Sequence, residues 1–157
     1  MTTYLFDWGD TLMVDFPDID GKMCDWANVE AVTGAEEVLA QLSKDAPIYL
    51  ATGAVDSSEQ DIKRAFQRVG LNQYITGVFC KENLGVTKES PDFFRVILQQ
   101  LDIPASQVIM VGDSYAKDIK PALSLGITPV WFAPDNNQPP SQEVRTIRCL
   151  SELCTAT

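Results

Sequence analysis

Tyr4-Leu5-Phe6-Asp7-Trp8-Gly9-Asp10-Thr11-Leu12 sets a carboxylate directly behind a short apolar run, and a second one three residues further on. The run Thr3–Trp8 has strand length and no helical periodicity, so it predicts a strand buried on both faces. An acid where such a strand ends stands at the rim of a sheet. The rest of the chain decides whether it stands there alone.

Outward from that stretch, the sequence alternates between strand-like and helix-like segments. Met13–Thr33 is irregular and acidic, broken by Pro17 and Gly21, and predicts a flap. Gly34–Lys44 spaces Val38, Leu39 and Leu42 as one helix face, and Pro47–Ala51 is a second buried strand. The next helix opens at Asp56 with Ser57 and Gln60 at capping-box spacing and ends at Gly70. Gly77–Cys80 is a third strand. Ser90-Pro91-Asp92 supplies an N-cap, a proline and an acid for a helix buried through Phe93, Phe94, Val96, Ile97 and Leu101. Gln107–Val111 and Thr128–Phe132 are further strands, flanking a helix over Ala116–Leu125. Strands buried on both faces and alternating with helices predict an α/β fold, a three-layer α/β/α sandwich around a central parallel sheet.

In such sheets, ligands sit outside the carboxyl ends of the strands. Asp7 ends the first strand, Thr52 the second and Asp113 the fourth, while Lys88 lies in the loop after the third. Taken singly, each has an ordinary explanation. Asp7 and Thr52 suit turns, Asp113 a cap, Asp118 the first turn of a helix, and Lys88 a solvated surface. Those explanations would have to hold together at every one of these places, which weighs against them.

Composition narrows the chemistry. With 157 residues, 45% hydrophobic and 22% charged, the chain has globular values and is expected to form a single domain over residues 1–157. The net charge of −10 argues against nucleic acid or an anionic membrane as partner. No apolar run approaches a bilayer span, and Met1-Thr2-Thr3 lacks a basic leader. Histidine is absent, so chemistry falls to carboxylates, lysine, hydroxyls or thiols. Cys24, Cys80, Cys149 and Cys154 form no CxxC pair, which suits free thiols and a cytoplasmic location and disfavours zinc. The acids Asp15, Asp18 and Asp20 miss EF-hand spacing because Phe16 stands where an acid is needed, so they are expected to be solvated. Two carboxylates at one rim call for a cation, and an all-oxygen donor set suits Mg2+ together with a phosphorylated substrate. A carboxylate can attack phosphorus once the metal and a lysine offset the mutual repulsion of the anions.

The segments FDWGDTL, YLATG, TKESPDFF and VGDSYAKD, in this order, resemble the haloacid dehalogenase (HAD) superfamily of hydrolases, mostly phosphatases. The resemblance implies a HAD-like Rossmannoid fold with Asp7 as nucleophile. Thr52 and the adjoining Gly53 backbone would bind the phosphoryl group, and Lys88 would hold its charge. It also implies a Mg2+ site formed by Asp7, the Gly9 carbonyl and Asp113, with Asp118 supporting the metal shell. Residues 13–33 are too short for the helical cap of many members, and residues between Thr52 and Lys88 leave no room for one, so no sizeable cap is expected, and the open rim would admit a macromolecular phosphosubstrate as well as a small one.

The chain departs from that pattern at Gly9, where most phosphatase members carry a general acid/base aspartate. Alternation along an extended strand sends Asp10 away from Asp7 unless a turn brings it back. Losing acid assistance costs roughly 10²–10⁴ in rate, about 3–5 kcal/mol of barrier. Alkyl esters should suffer most, and acyl or aryl phosphates least. The alternative expectation is a catalytically weak or silent member that binds a phosphometabolite or a protein.

Overall fold

A computed structural model describes residues 2–16, 19–53, 58–134 and 144–154. Its strands are β1 (Thr3–Phe6), β2 (Ile48–Ala51), β3 (Gly77–Phe79), β4 (Val108–Gly112), β5 (Thr128–Phe132) and β6 (Arg145–Ile147). All pair in parallel, in the order β3-β2-β1-β4-β5-β6. β1 is therefore internal, hydrogen-bonded to β2 on one side and β4 on the other. The chain runs outward from β1 to β3, then returns across β1 to start β4. That reversal makes the gap beyond the ends of β1 and β4 the switch point where α/β sheets hold ligands.

Alternation along the strands divides the core between two faces. Phe6, Leu50, Val111 and Val130 pack with α1 (Ala35–Leu42) and α2 (Glu59–Arg68), through Val38, Leu39, Ile62 and Phe66. Leu5, Ala51, Val108 and Met110 pack with α4 (Phe93–Leu101) and α5 (Lys120–Ser124), through Phe93, Phe94, Ile97 and Ala122. Helices on both faces of a parallel sheet give the predicted sandwich.

Several local expectations shift. The capping box of α2 lies at Ser58 and Asp61: Asp61 N–H donates to Ser58 Oγ at 3.1 Å and Ser58 N–H to Asp61 Oδ2 at 2.9 Å. Asp61 replaces the expected Gln60 as the partner that reaches back, and Ser57 lies outside the described residues. Ser90 caps a turn instead of the helix, its Oγ accepting from Asp92 N–H at 3.2 Å, and α4 starts only at Phe93. A four-residue helix, α3 (Lys81–Leu84), fills part of the loop leading to Lys88. The helix expected over Ala116–Leu125 divides into a π-helical turn, Tyr115–Ile119, and α5. Among the described residues, no helix is long and apolar enough to cross a membrane.

The flap is tied down. Arg68 on α2 donates to the carbonyls of Cys24 at 3.3 Å, Ala27 at 3.1 Å and Trp26. Lys22 Nζ reaches Asp61 Oδ2 at 2.9 Å, and Trp26 Nε1 donates to the Gly21 carbonyl at 3.1 Å. Of the three acids expected to be solvated there, Asp15 and Asp20 are exposed, and Asp18 lies outside the described residues.

Candidate active site

The sheet delivers the predicted side chains to one rim. Asp7 N–H donates to the Val111 carbonyl at 2.9 Å, extending the β1–β4 ladder one residue past the strand and fixing Asp7 beside the tip of β4. Thr52 N–H does the same toward the Phe79 carbonyl at 3.0 Å, at the β2–β3 seam. Trp131 on β5 donates from its indole to the Asp113 carbonyl at 3.0 Å, which anchors the turn after β4.

Lys88 binds these parts together. Its Nζ lies 2.6 Å from Asp7 Oδ1 and 2.6 Å from Asp118 Oδ1, with only 4% of its side chain exposed. Asp118 is fully buried, and its second oxygen accepts from Ser114 N–H at 3.2 Å. The π-helical turn carries Asp118 inward, and wide turns of this kind recur where a side chain must be re-aimed. One carboxylate oxygen each from Asp7, Asp113 and Asp118 can be chosen so that all lie within 4.8 Å of one another. The buried hydroxyl of Thr11 sits 3.2 Å from Asp113 Oδ1 and 3.4 Å from Asp7 Oδ2, placed to donate to either.

Such crowding separates the titrations. Burial raises the Asp7 carboxyl, but the Lys88 charge and the hydrogen bonds from Asp113 and Lys88 overcome it, and Asp7 ends below its ordinary value. Asp113 is pushed up to about 8 by burial, by its hydrogen bond with Asp7 and by the Asp7 charge. Asp118 is pushed up to about 6 by burial, with Lys88 opposing and Asp7 adding. Burial lowers Lys88, yet Asp7 and Asp118 more than compensate, so the ammonium persists. A carboxyl held protonated near neutrality by burial and by neighbouring carboxylates suits a place for a cation. The donors are all oxygen, so the residues present fit magnesium.

A cavity of about 560 Å³ opens over this group, lined by Asp7, Gly9, Thr52, Gly53, Lys88 and Asp113 among others. Every residue expected at the site, Asp118 included, therefore borders one space. A family model described as haloacid dehalogenase-like hydrolase matches residues 7–126. The chain belongs to this family.

Among relatives of this HAD-like chain, the ribulose-1,5-bisphosphate 5-phosphatase of Halopiger xanaduensis is 32% identical over 103 residues, covering 66% of this chain and 42% of the relative. In structure, a protein from Listeria monocytogenes serotype 4b superposes with a TM-score of 0.82 at 20% identity, covering 98% and 94% of the two chains. YfnB of Bacillus subtilis, described as a HAD-hydrolase and solved bound to magnesium, gives 0.76 at 17% identity, covering 97% and 96%. These likenesses concern the fold. By sequence, the chain spans about half the length of the curated relatives it matches, 53% of YfnB and 42% of the phosphatase.

Asp10 borders the cavity of this HAD-like site, but its carboxylate is engaged by the flap backbone. It takes the left-handed conformation, with φ of 61°, and its Oδ1 accepts the Asp15 N–H at 3.0 Å. It is a turn residue, whose left-handed backbone an aspartate tolerates. Sequence reasoning missed three contributors. Thr11 stands in the first motif with nothing in its spacing to show that its hydroxyl meets Asp7 and Asp113. Gly112 is required because a Cβ there would lie 2.3 Å from Asp118 Oδ2. Asp15, exposed as expected of the flap, also lines the cavity, its carboxyl raised by desolvation and by the Asp10 charge.

Proposed function

We propose that the chain is a magnesium-dependent phosphatase that transfers phosphate through an aspartyl phosphate on Asp7. The observation that carries the reading is the buried Lys88 bridge, 2.6 Å from both Asp7 and Asp118, beside an elevated Asp113 and under an open cavity. A purely structural ion pair needs neither the third carboxylate nor the cavity. In this reading Asp7 attacks phosphorus, being the carboxylate kept ionised. Lys88 neutralises charge on Asp7 and on the incoming phosphoryl oxygens. Thr52 and the Gly53 backbone receive those oxygens at the tip of β2. Asp118 fixes the Lys88 ammonium and borders the metal shell. Asp7, Asp113 and the Gly9 carbonyl would hold magnesium, which supplies charge neutralisation at the phosphoryl group.

The substrate class is a small phosphate monoester or an acyl phosphate, in keeping with relatives named as phosphatases of ribulose 1,5-bisphosphate and glyceraldehyde 3-phosphate. In this reading the unit works without a sizeable cap, with the tethered flap as the cover seen among the described residues, and in the cytoplasm, where its free thiols stay reduced. Gly9 favours a second reading, a silent member that binds phosphometabolites or a protein without turnover. Phosphate release from acetyl phosphate with magnesium, run beside Asp7→Asn, separates the two. Release that vanishes in the variant supports the enzyme; no release from the native chain selects the binding module.

A further inference from the structure

The proposed reaction leaves one proton without a donor. When Asp7 takes phosphorus from an alkyl ester, the departing alkoxide must be protonated as its bond to phosphorus breaks. The carboxyl groups that line the cavity are Asp7, Asp10, Asp15, Glu89, Asp113 and Asp118. Asp7 and Asp118 are bound to Lys88, and Asp113 is tied to Asp7 and Thr11. Asp10 Oδ1 holds the Asp15 N–H, and Glu89 accepts from Thr87 Oγ1 at 3.0 Å. Among the described residues, the Asp15 carboxylate has no hydrogen-bond or ion-pair partner. By elimination it is the uncommitted acid of the cavity.

Its place is built by the turn after β1. Leu12 and Met13 N–H both donate to the Trp8 carbonyl, at 3.1 and 3.0 Å, and Asp10 N–H donates to the Met13 carbonyl at 2.6 Å. These bonds fold residues 13–15 back beside residues 8–10. Val14 N–H then donates to the Glu30 carbonyl at 2.8 Å, and Asp10 holds the Asp15 N–H, so the backbone leading into Asp15 is fixed. A Cβ on Gly9 would lie 3.7 Å from Asp15 Cβ and 3.9 Å from Asp15 Oδ2. The Asp15 side chain thus stands next to the space that a side chain at position 9 would enter.

We infer that Asp15, reaching in from the flap, is the general acid and base of this site, on the assumption that the phosphatase reading holds. In the first step Asp7 Oδ bonds to phosphorus, the ester P–O bond breaks, and the Asp15 carboxyl gives its proton to the leaving oxygen. In the second step water bonds to phosphorus and gives a proton to the Asp15 carboxylate. The Asp7 O–P bond breaks, and phosphate leaves. Asp7 returns as carboxylate and Asp15 as acid, so protons balance over the cycle.

The experiment compares kcat/KM for glycerol phosphate and acetyl phosphate in the native chain, Asp15→Asn, and Asp15→Asn combined with Gly9→Asp. Because kcat/KM reports the step that expels the leaving group, Asp15→Asn should lower it roughly 10²-fold or more for glycerol phosphate. For acetyl phosphate, whose leaving group needs no proton, the change should stay within about threefold, on the same grounds. The double variant should recover most of the glycerol phosphate rate, because the new carboxyl enters the neighbouring space. A simple structural defect would lower both substrates together. Equal losses, no loss, or a double variant as slow as Asp15→Asn on glycerol phosphate each overturn the inference. Native turnover of acetyl phosphate but not of glycerol phosphate also overturns it and leaves the phosphatase reading standing. No turnover of either removes both.

Discussion

Lys88 carries a full charge into a place with almost no water, and that is tolerable only because two carboxylates meet it at 2.6 Å. Breaking a buried pair of this kind leaves an uncompensated charge, at a cost of about 3–5 kcal/mol. Lys88→Met should therefore lower unfolding free energy by about that amount in a urea titration. Adding Asp118→Leu should recover part of it, because the stranded carboxylate goes too. Gly112 makes a sharper residue-scale case. A methyl group there would meet Asp118 Oδ2 at 2.3 Å, so Gly112→Ala must push the carboxylate off Lys88. The expected cost is about 1–3 kcal/mol in stability, with a loss of phosphate release that the variant's residual folding does not explain. Asp7, Thr52, Lys88 and Asp113 were legible in the sequence because each follows or faces a recognisable strand end. Thr11, Gly112 and Asp15 were not. Their roles depend on backbone paths, a left-handed Asp10 and a wide turn at Tyr115–Ile119, which side-chain chemistry and spacing do not encode.

At the scale of elements, one side chain of α2 makes several of the bonds that hold the flap. Arg68 donates to three carbonyls, those of Cys24, Trp26 and Ala27, groups that would otherwise need water. Arg68→Ala should speed amide exchange across residues 22–28 while leaving the strands β1 and β4 protected, as read by hydrogen exchange with mass spectrometry. Protection unchanged along the flap would mean that its packing through Met23 and Trp26 suffices without the guanidinium. The longer apolar strands and the amphipathic helices could be read from periodicity. β6 could not, since Arg145-Thr146-Ile147 is three residues long and carries no pattern of its own. The short α3 was equally hidden, because a four-residue helix is too brief to display a face.

For the whole molecule, the crowded carboxylates tie stability to pH and to the metal. Asp113 at about 8 and Asp118 at about 6 lie above the ordinary carboxyl value, so both bind protons more tightly folded than unfolded. Their contribution is complete below that ordinary value and is lost as pH rises through about 6 and then about 8. Asp7, lowered, contributes in the opposite sense and only in acid, where its stabilising effect disappears as pH falls. Without magnesium, thermal stability should therefore decline from pH 5 to pH 8. With magnesium the decline should flatten, because the ion takes the place of the protons, so the rise in Tm on adding it should be larger at pH 8 than at pH 6. A magnesium shift independent of pH would place the ion away from Asp113. The order of strands around β1 makes this coupling possible: it sets Asp7 and Asp113 at adjacent tips though they lie far apart in the chain.

The most direct test is to trap the covalent adduct. Acid quenching during turnover of 32P-labelled acetyl phosphate with magnesium, followed by peptide mapping, should place an acid-stable, base-labile label on the peptide containing Asp7. Asp7→Asn should carry none and release no phosphate. Steady phosphate release with no label on Asp7, or persisting in Asp7→Asn, would contradict a carboxylate nucleophile at the end of β1.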